Sequence, residues 1–129
     1  MQLFLVTLLV ADYDEAIDYF CSVLGFTLIE DTPVSDDKRW VVVSPSSDQS
    51  GARILLARAA TLEQRDALGA QLGGRVGFFL HTRDFDETFD RLKEKGVRFC
   101  ETPRAENYGK VVVFKDLYGN KWDLIEQAA

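Results

Sequence analysis

Residues 10–20, Val10-Ala11-Asp12-Tyr13-Asp14-Glu15-Ala16-Ile17-Asp18-Tyr19-Phe20, return in altered form as residues 82–90, Thr82-Arg83-Asp84-Phe85-Asp86-Glu87-Thr88-Phe89-Asp90. Asp12 and Asp84 stand 72 positions apart, since 84 − 12 = 72. The glycines that follow, Gly25 and Gly96, stand 71 apart (96 − 25 = 71). Further on, Thr32-Pro33 matches Thr102-Pro103, and Val41-Val42-Val43 matches Val111-Val112-Val113, both at offset 70. The order never breaks, and the drift of two is what small insertions in turns would give. A fixed period marks a repeated structural unit. The reading is two copies of one module, about 1–59 and 74–129, joined by a connector over 60–73 in a single domain spanning 1–129.

Each copy has the same grammar. An apolar strand, about 3–10 or 76–82, runs into an aspartate with a glutamate three residues later, Glu15 or Glu87. That is the spacing of a helix N-cap with its reciprocal partner, and the carboxylates sit at the positive end of the helix dipole. The same acidic clusters could instead serve a metal or acid–base site, although capping accounts for all of them. Helices are expected over 13–24 and 85–95. Ile17, Phe20 and Leu24 make an apolar stripe on the first, and Phe85, Phe89 and Leu92 on the second. Gly25 and Gly96 end them. Strands are then expected at about 26–31, 39–45 and 52–59, and again at 97–101, 109–115 and 121–126. The order is βαβββ twice, an α+β fold. In the connector, Thr61 stands three before Gln64 and predicts a short helix before Gly73-Gly74.

Composition narrows the function classes. The chain has 129 residues, of which 47% are hydrophobic and 28% charged, enough for a core and too apolar for disorder. A net charge of −6 argues against nucleic acid and anionic membranes as partners. No apolar run is long enough to span a bilayer, and Asp12, Asp14 and Glu15 stand where a signal peptide would need small residues. The expectation is a cytoplasmic protein. Cys21 and Cys100 fit no metal spacing and read as buried reduced thiols, with a disulfide or a nucleophile as alternatives. Phosphate-binding and nucleophile-elbow motifs are absent.

The tandem βαβββ order, opened by VADYDEAIDYF with LGF and closed by DLYGNKWDLIE (residues 116–126), resembles the vicinal oxygen chelate superfamily. That group includes glyoxalase I, bleomycin-resistance proteins, extradiol dioxygenases and fosfomycin-resistance enzymes. The resemblance covers essentially the whole chain. It implies two modules whose curved mixed sheets form a cup, usually within a homodimer. It also implies metal ligands at four strand positions in the enzymes, which fall here on Leu5, about Leu55, about Gly77 and Asp123. Three of those side chains cannot coordinate, so no metal and no other cofactor is expected, with a divalent metal as the alternative.

Other residues suggest a pocket. Leu3, Leu5, Thr7 and Leu9 alternate with Phe4, Val6, Leu8 and Val10, so both faces of the first strand are expected to be buried. With Leu55, Ala57 and Phe79 this predicts an apolar cup for a small organic molecule, and Trp40, Tyr108 and Phe114 could supply stacking surfaces. The same residues could instead fill a core or a dimer seam. His81, the sole histidine, should share a face with Gly77 and Phe79. It reads either as a general base near the rim or as a strand-end residue bonded to a neighbour. Asp123 reads as a base, as a contact for a cationic group, or as an ion-pair partner of Arg53 or Lys121. The expected ligand set is therefore Leu5, Thr7, Trp40, Leu55, Phe79, His81, Tyr108 and Asp123. Three functions remain: metal-free binding of an apolar or aromatic molecule, a metal-dependent or acid–base enzyme, and a dimeric interaction protein without ligand.

Overall fold

The computed structural model describes residues 1–128, and the chain divides into two compact units, Met1–Leu68 and the chain from Gly69 on. The first holds β1 (Leu5–Val10), α1 (Tyr13–Ile17), β2 (Thr27–Pro33), β3 (Arg39–Ser44), β4 (Arg53–Arg58) and the connector helix α2 (Leu62–Asp66). The second holds β5 (Val76–Thr82), α3 (Phe85–Glu94), β6 (Arg98–Phe99), β7 (Arg104–Glu106), β8 (Gly109–Lys115) and β9 (Lys121–Glu126). This is the α+β class, with one mixed sheet per unit. The strand orders are β1-β4-β3-β2 and β5-β9-β8-β6, with β7 added beside β8. In both, the first and last strands pair in parallel and the other neighbours are antiparallel. Among the described residues no helix is long and apolar enough to cross a membrane.

The N-cap half of each expected box forms. Asp12 accepts from Glu15 N at 2.9 Å and Asp84 from Glu87 N at 3.3 Å. Thr61 and Gln64 make the full reciprocal box that opens α2. Each module helix covers one face of its sheet. In the first unit Tyr13, Ala16 and Phe20 lie buried with Leu8, Val10, Val41, Val43 and Leu56. In the second, Trp122 stacks on Phe78 at 4.4 Å and lies 6.0 Å from Phe114, deepening an aromatic core beside Phe85 and Leu92.

The first helix departs from expectation in its winding. After Ile17 it widens into a π-helical segment, Asp18–Val23. The reason lies in the repeat. Asp12 to Gly25 is one residue longer than Asp84 to Gly96, since 25 − 12 = 13 and 96 − 84 = 12. Phe20 and Phe26 correspond to Leu92 and Val97, and all four are buried. The closing bond Phe26 N to Phe20 O spans six residues, whereas Val97 N to Leu92 O spans five. The surplus residue is therefore held inside the helix rather than in a turn, the usual origin of π-winding.

Strand pairing also corrects the offset of the valine triplets. Val41 lies opposite Leu56, which lies beside Leu8, whereas the row holding Leu80 and Leu124 meets Val112. The equivalent of Val41 is thus Val112, at 112 − 41 = 71, and the letter match at 70 would turn each valine to the opposite face. The same rows make Leu55 the counterpart of Asp123, whereas the row of Leu5 and Arg53 corresponds to Val76 and Lys121, with Gly77 left as an unpaired bulge.

The first strand is shorter and more open than expected. Leu8 and Val10 are buried, but Leu3, Phe4 and Thr7 are exposed and Val6 borders on it. As an edge strand it is covered only where the helix reaches it, and its other face opens onto a cavity. Neither cysteine is buried: Cys21 is half-buried on the π-helical segment and Cys100 exposed, and both are free thiols.

Candidate functional site

In the first unit, register sets two rows of side chains on the sheet face turned away from α1. Thr7 lies beside Leu55, which faces Val42, which faces Glu30. One step along, Leu9 lies beside Ala57, and Trp40 faces Thr32. Directly paired residues point to one side, so these form a continuous surface, apolar near β1 and β4 and more polar at β2. Thr32 Oγ1 donates to Glu30 Oε2 at 3.0 Å there.

A cavity of about 420 Å³ sits on this surface, floored by Thr7, Leu9, Leu55, Ala57 and Trp40. Its volume suits a small organic molecule. Trp40 is 37% exposed, so its ring is open to an incoming ligand. The rim comes from the β2–β3 turn and the end of β4, through Ser35, Asp37, Lys38, Arg39 and Arg58. Arg39 is fixed in place. It donates to Asp31 through Nε and Nη2 (3.1 and 2.7 Å) and to Asp14 through Nη1 (2.9 Å), and its guanidinium lies 5.2 Å from the Tyr13 ring centre. That fork holds the Asp31 carboxyl below its ordinary value.

Of the residues singled out in the sequence, Thr7, Trp40 and Leu55 line this cavity together. Leu5 shares the face but lies outside the lining, because its neighbour across the sheet is Arg53, at the far end of β4. Leu9 and Ala57, which the sequence places on the same apolar face, line it as well, whereas the rim arginines do not figure in the expected ligand set. Leu9 follows from Thr7 by the strand period of two, whereas nothing in the sequence marks Arg39 or Arg58 as neighbours of Trp40.

In the second unit, Phe79 pairs with Asp123 and His81 with Ile125, so Phe79, His81 and Asp123 share a face. Gly77 is a bulge between Val76 and Phe78 and drops out of the alternation. A side chain at Gly77 would collide with Leu72, whose end packs against it. His81 is solvent-exposed and Phe79 is 62% exposed. Tyr108 stands at the tip of the β7–β8 hairpin, and Phe114, read as a stacking surface, is fully buried against Trp122.

Asp123 makes no ion pair with Lys121, and Arg53 donates instead to Gln49 Oε1 at 3.1 Å. The Asp123 Oδ1 atom is buried without a hydrogen bond. Burial pushes its carboxyl up; Arg104 opposes that rise and Glu101 adds to it. The folded value lies above the unfolded one, so the ionised form costs stability above the folded value, and the cost is absent below the unfolded value. Asp123→Asn is therefore expected to gain about 1 kcal/mol at neutral pH. The gain should fade as pH drops through the folded value and vanish below the ordinary carboxylate range. Urea unfolding across a pH series checks this, and a gain that does not vary with pH would be the contrary result.

Residues 2–124 match the Glyoxalase/Bleomycin resistance protein/Dioxygenase superfamily. The chain belongs to that superfamily. An uncharacterised protein of Shewanella frigidimarina is 51% identical over 94% of this chain and 90% of its own length. Among solved structures, UcmS2 superposes with a TM-score of 0.83 at 27% identity, covering 97% of each chain. TnmS3, an antibiotic binding protein from Streptomyces sp. CB03234, superposes at 0.77 with 26% identity, covering 99% of this chain and 97% of its own.

The four positions that carry metal in the superfamily's enzymes do not fit a metal in this member. Leu5, Leu55 and Gly77 offer no donor atom. Among the described residues, no three His, Cys, Asp or Glu side chains are grouped to hold an ion. A single carboxylate at Asp123 falls short of the three protein ligands a catalytic zinc site uses.

Proposed function

We propose that this superfamily member is a metal-free binding protein that takes up a small, at least partly aromatic organic molecule, acting in the cytoplasm as a homodimer. The observation that carries the reading is the cavity over Thr7, Leu9, Leu55 and Ala57, with the open face of Trp40 at its side. Apolar walls with one aromatic platform bind planar molecules through desolvation and stacking, and neither needs a metal. The likeness to TnmS3 supports an antibiotic or similar secondary metabolite as ligand.

Tryptophan fluorescence tests the reading, because Trp122 is only 1% exposed and Trp40 is the residue a ligand can reach. Aromatic antibiotics are expected to quench Trp40 and raise the melting temperature together through ligand linkage. Trp40→Ala is expected to weaken binding about tenfold or more, as loss of an aromatic anchor does. Unchanged affinity in that variant would refute the assignment of the cavity. Protein purified without chelator should carry no stoichiometric divalent metal, and a bound equivalent by elemental analysis would refute the metal-free part.

A further inference from the structure

We infer that the molecule bound in the first unit is an acid, with an anionic group carried on its aromatic body and held at the rim by Arg58 and Lys38. The inference rests on the binding reading above and adds the ligand's charge. The chain as a whole carries −6, yet the charged residues lining this cavity are Lys38, Arg39 and Arg58 against Asp37 alone. They are not equivalent. Arg39 is spent on Asp31 and Asp14, neither of which lines the cavity. Among the described residues, Arg58 makes one hydrogen bond, from Nη2 to the neutral carbonyl of Asp37 at 3.2 Å, and is in no ion pair. That bond anchors the guanidinium while leaving its charge uncancelled and further N–H groups to offer. Lys38 is in no ion pair either, and its carbonyl accepts from Val34 N and Ser35 N, which holds the turn.

The polar lining is also rich in donors. Gln64 Oε1 accepts from Ala60 N at 2.8 Å, so what this amide has left to give is its N–H donors. The Asp37 carboxylate takes the Ser35 hydroxyl at 3.1 Å. An incoming group that accepts hydrogen bonds and carries negative charge meets Lys38, Arg58 and Gln64, whereas a cation finds only Asp37, which already holds the Ser35 hydroxyl. Guanidinium forks suit carboxylates, sulfonates and phosphates alike. The shared chemistry is an anionic substituent on a planar apolar body.

Two fluorescent probes that differ only in charge provide the test: anilinonaphthalenesulfonate and the uncharged N-phenylnaphthylamine, titrated at low and high salt. The sulfonate is expected to bind about tenfold more tightly, the effect of one charge-assisted contact at a half-open rim. Salt should erode that preference. Arg58→Gln and the exposed Lys38→Gln should each weaken binding of the sulfonate far more than binding of the uncharged probe. Equal binding of the two probes, or a preference that survives both substitutions, would overturn the inference and leave the apolar cavity intact. If Trp40→Ala alters the binding of neither probe, the cavity reading itself fails, and the inference fails with it.

Discussion

Replacing Asp116 by alanine is expected to cost roughly 3–5 kcal/mol of folding stability, a large share of what a domain of this size holds. The side chain is fully buried and accepts from both ends of the turn it starts. Oδ1 takes the backbone N–H groups of Tyr118 (2.9 Å) and Asn120 (3.0 Å), and Oδ2 takes Asn120 Nδ2 (3.0 Å) and Trp122 Nε1 (2.9 Å). Alanine removes every acceptor at once and leaves buried donors that cannot reach water. Trp122, the largest fully buried side chain, would lose the bond that orients its indole. A fall in melting temperature of roughly 10–20 °C is expected by calorimetry. Asp116→Asn should sit between, since its oxygen can still serve the two backbone donors while its amide opposes the other two. Asparagine as harmful as alanine would mean that the hydrogen bonds at Oδ1 contribute little.

Gly69→Ala is the second large effect, at roughly 3 kcal/mol. Gly69 has φ = +72°, where a Cβ is penalised, and that Cβ would run into the backbone carbonyl of Tyr118 in the same Asp116–Asn120 turn. Gly73 is the matched control, with φ = +67° and open space where its Cβ would go. Gly73→Ala should cost only the conformational share, about 1 kcal/mol. The difference between the two in urea denaturation isolates the collision. Equal costs would show that the turn yields freely.

These two sites also show what the sequence discloses and what it withholds. The caps at Asp12, Asp84 and Thr61 act over three residues, so their spacing is visible in the letters. The alternation through Thr7 and Leu55 was readable because a strand repeats every two residues and the pocket lies along one face. Beyond that, letters and geometry separate. Val41-Val42-Val43 and Val111-Val112-Val113 are identical as text, but backbone pairing sets register, and pairing is a contact between distant segments. The bulge at Gly77 breaks the parity used to place His81 beside it. The rim was hidden for a similar reason: Arg39 and Arg58 are 19 positions apart (58 − 39 = 19) and line one cavity only because β3 turns back on β4. The partnerless oxygen of Asp123 depends on its surroundings, which no local pattern encodes.

The wide turn at Asp18–Val23 has a consequence for how such a duplicated gene drifts. An added codon within a helix would ordinarily rotate everything after it by a hundred degrees, throwing Phe26 off its station. Here the coil swallows the newcomer within one loosened loop and hands the chain on in phase. The halves are therefore free to diverge in length while every later strand still arrives on cue.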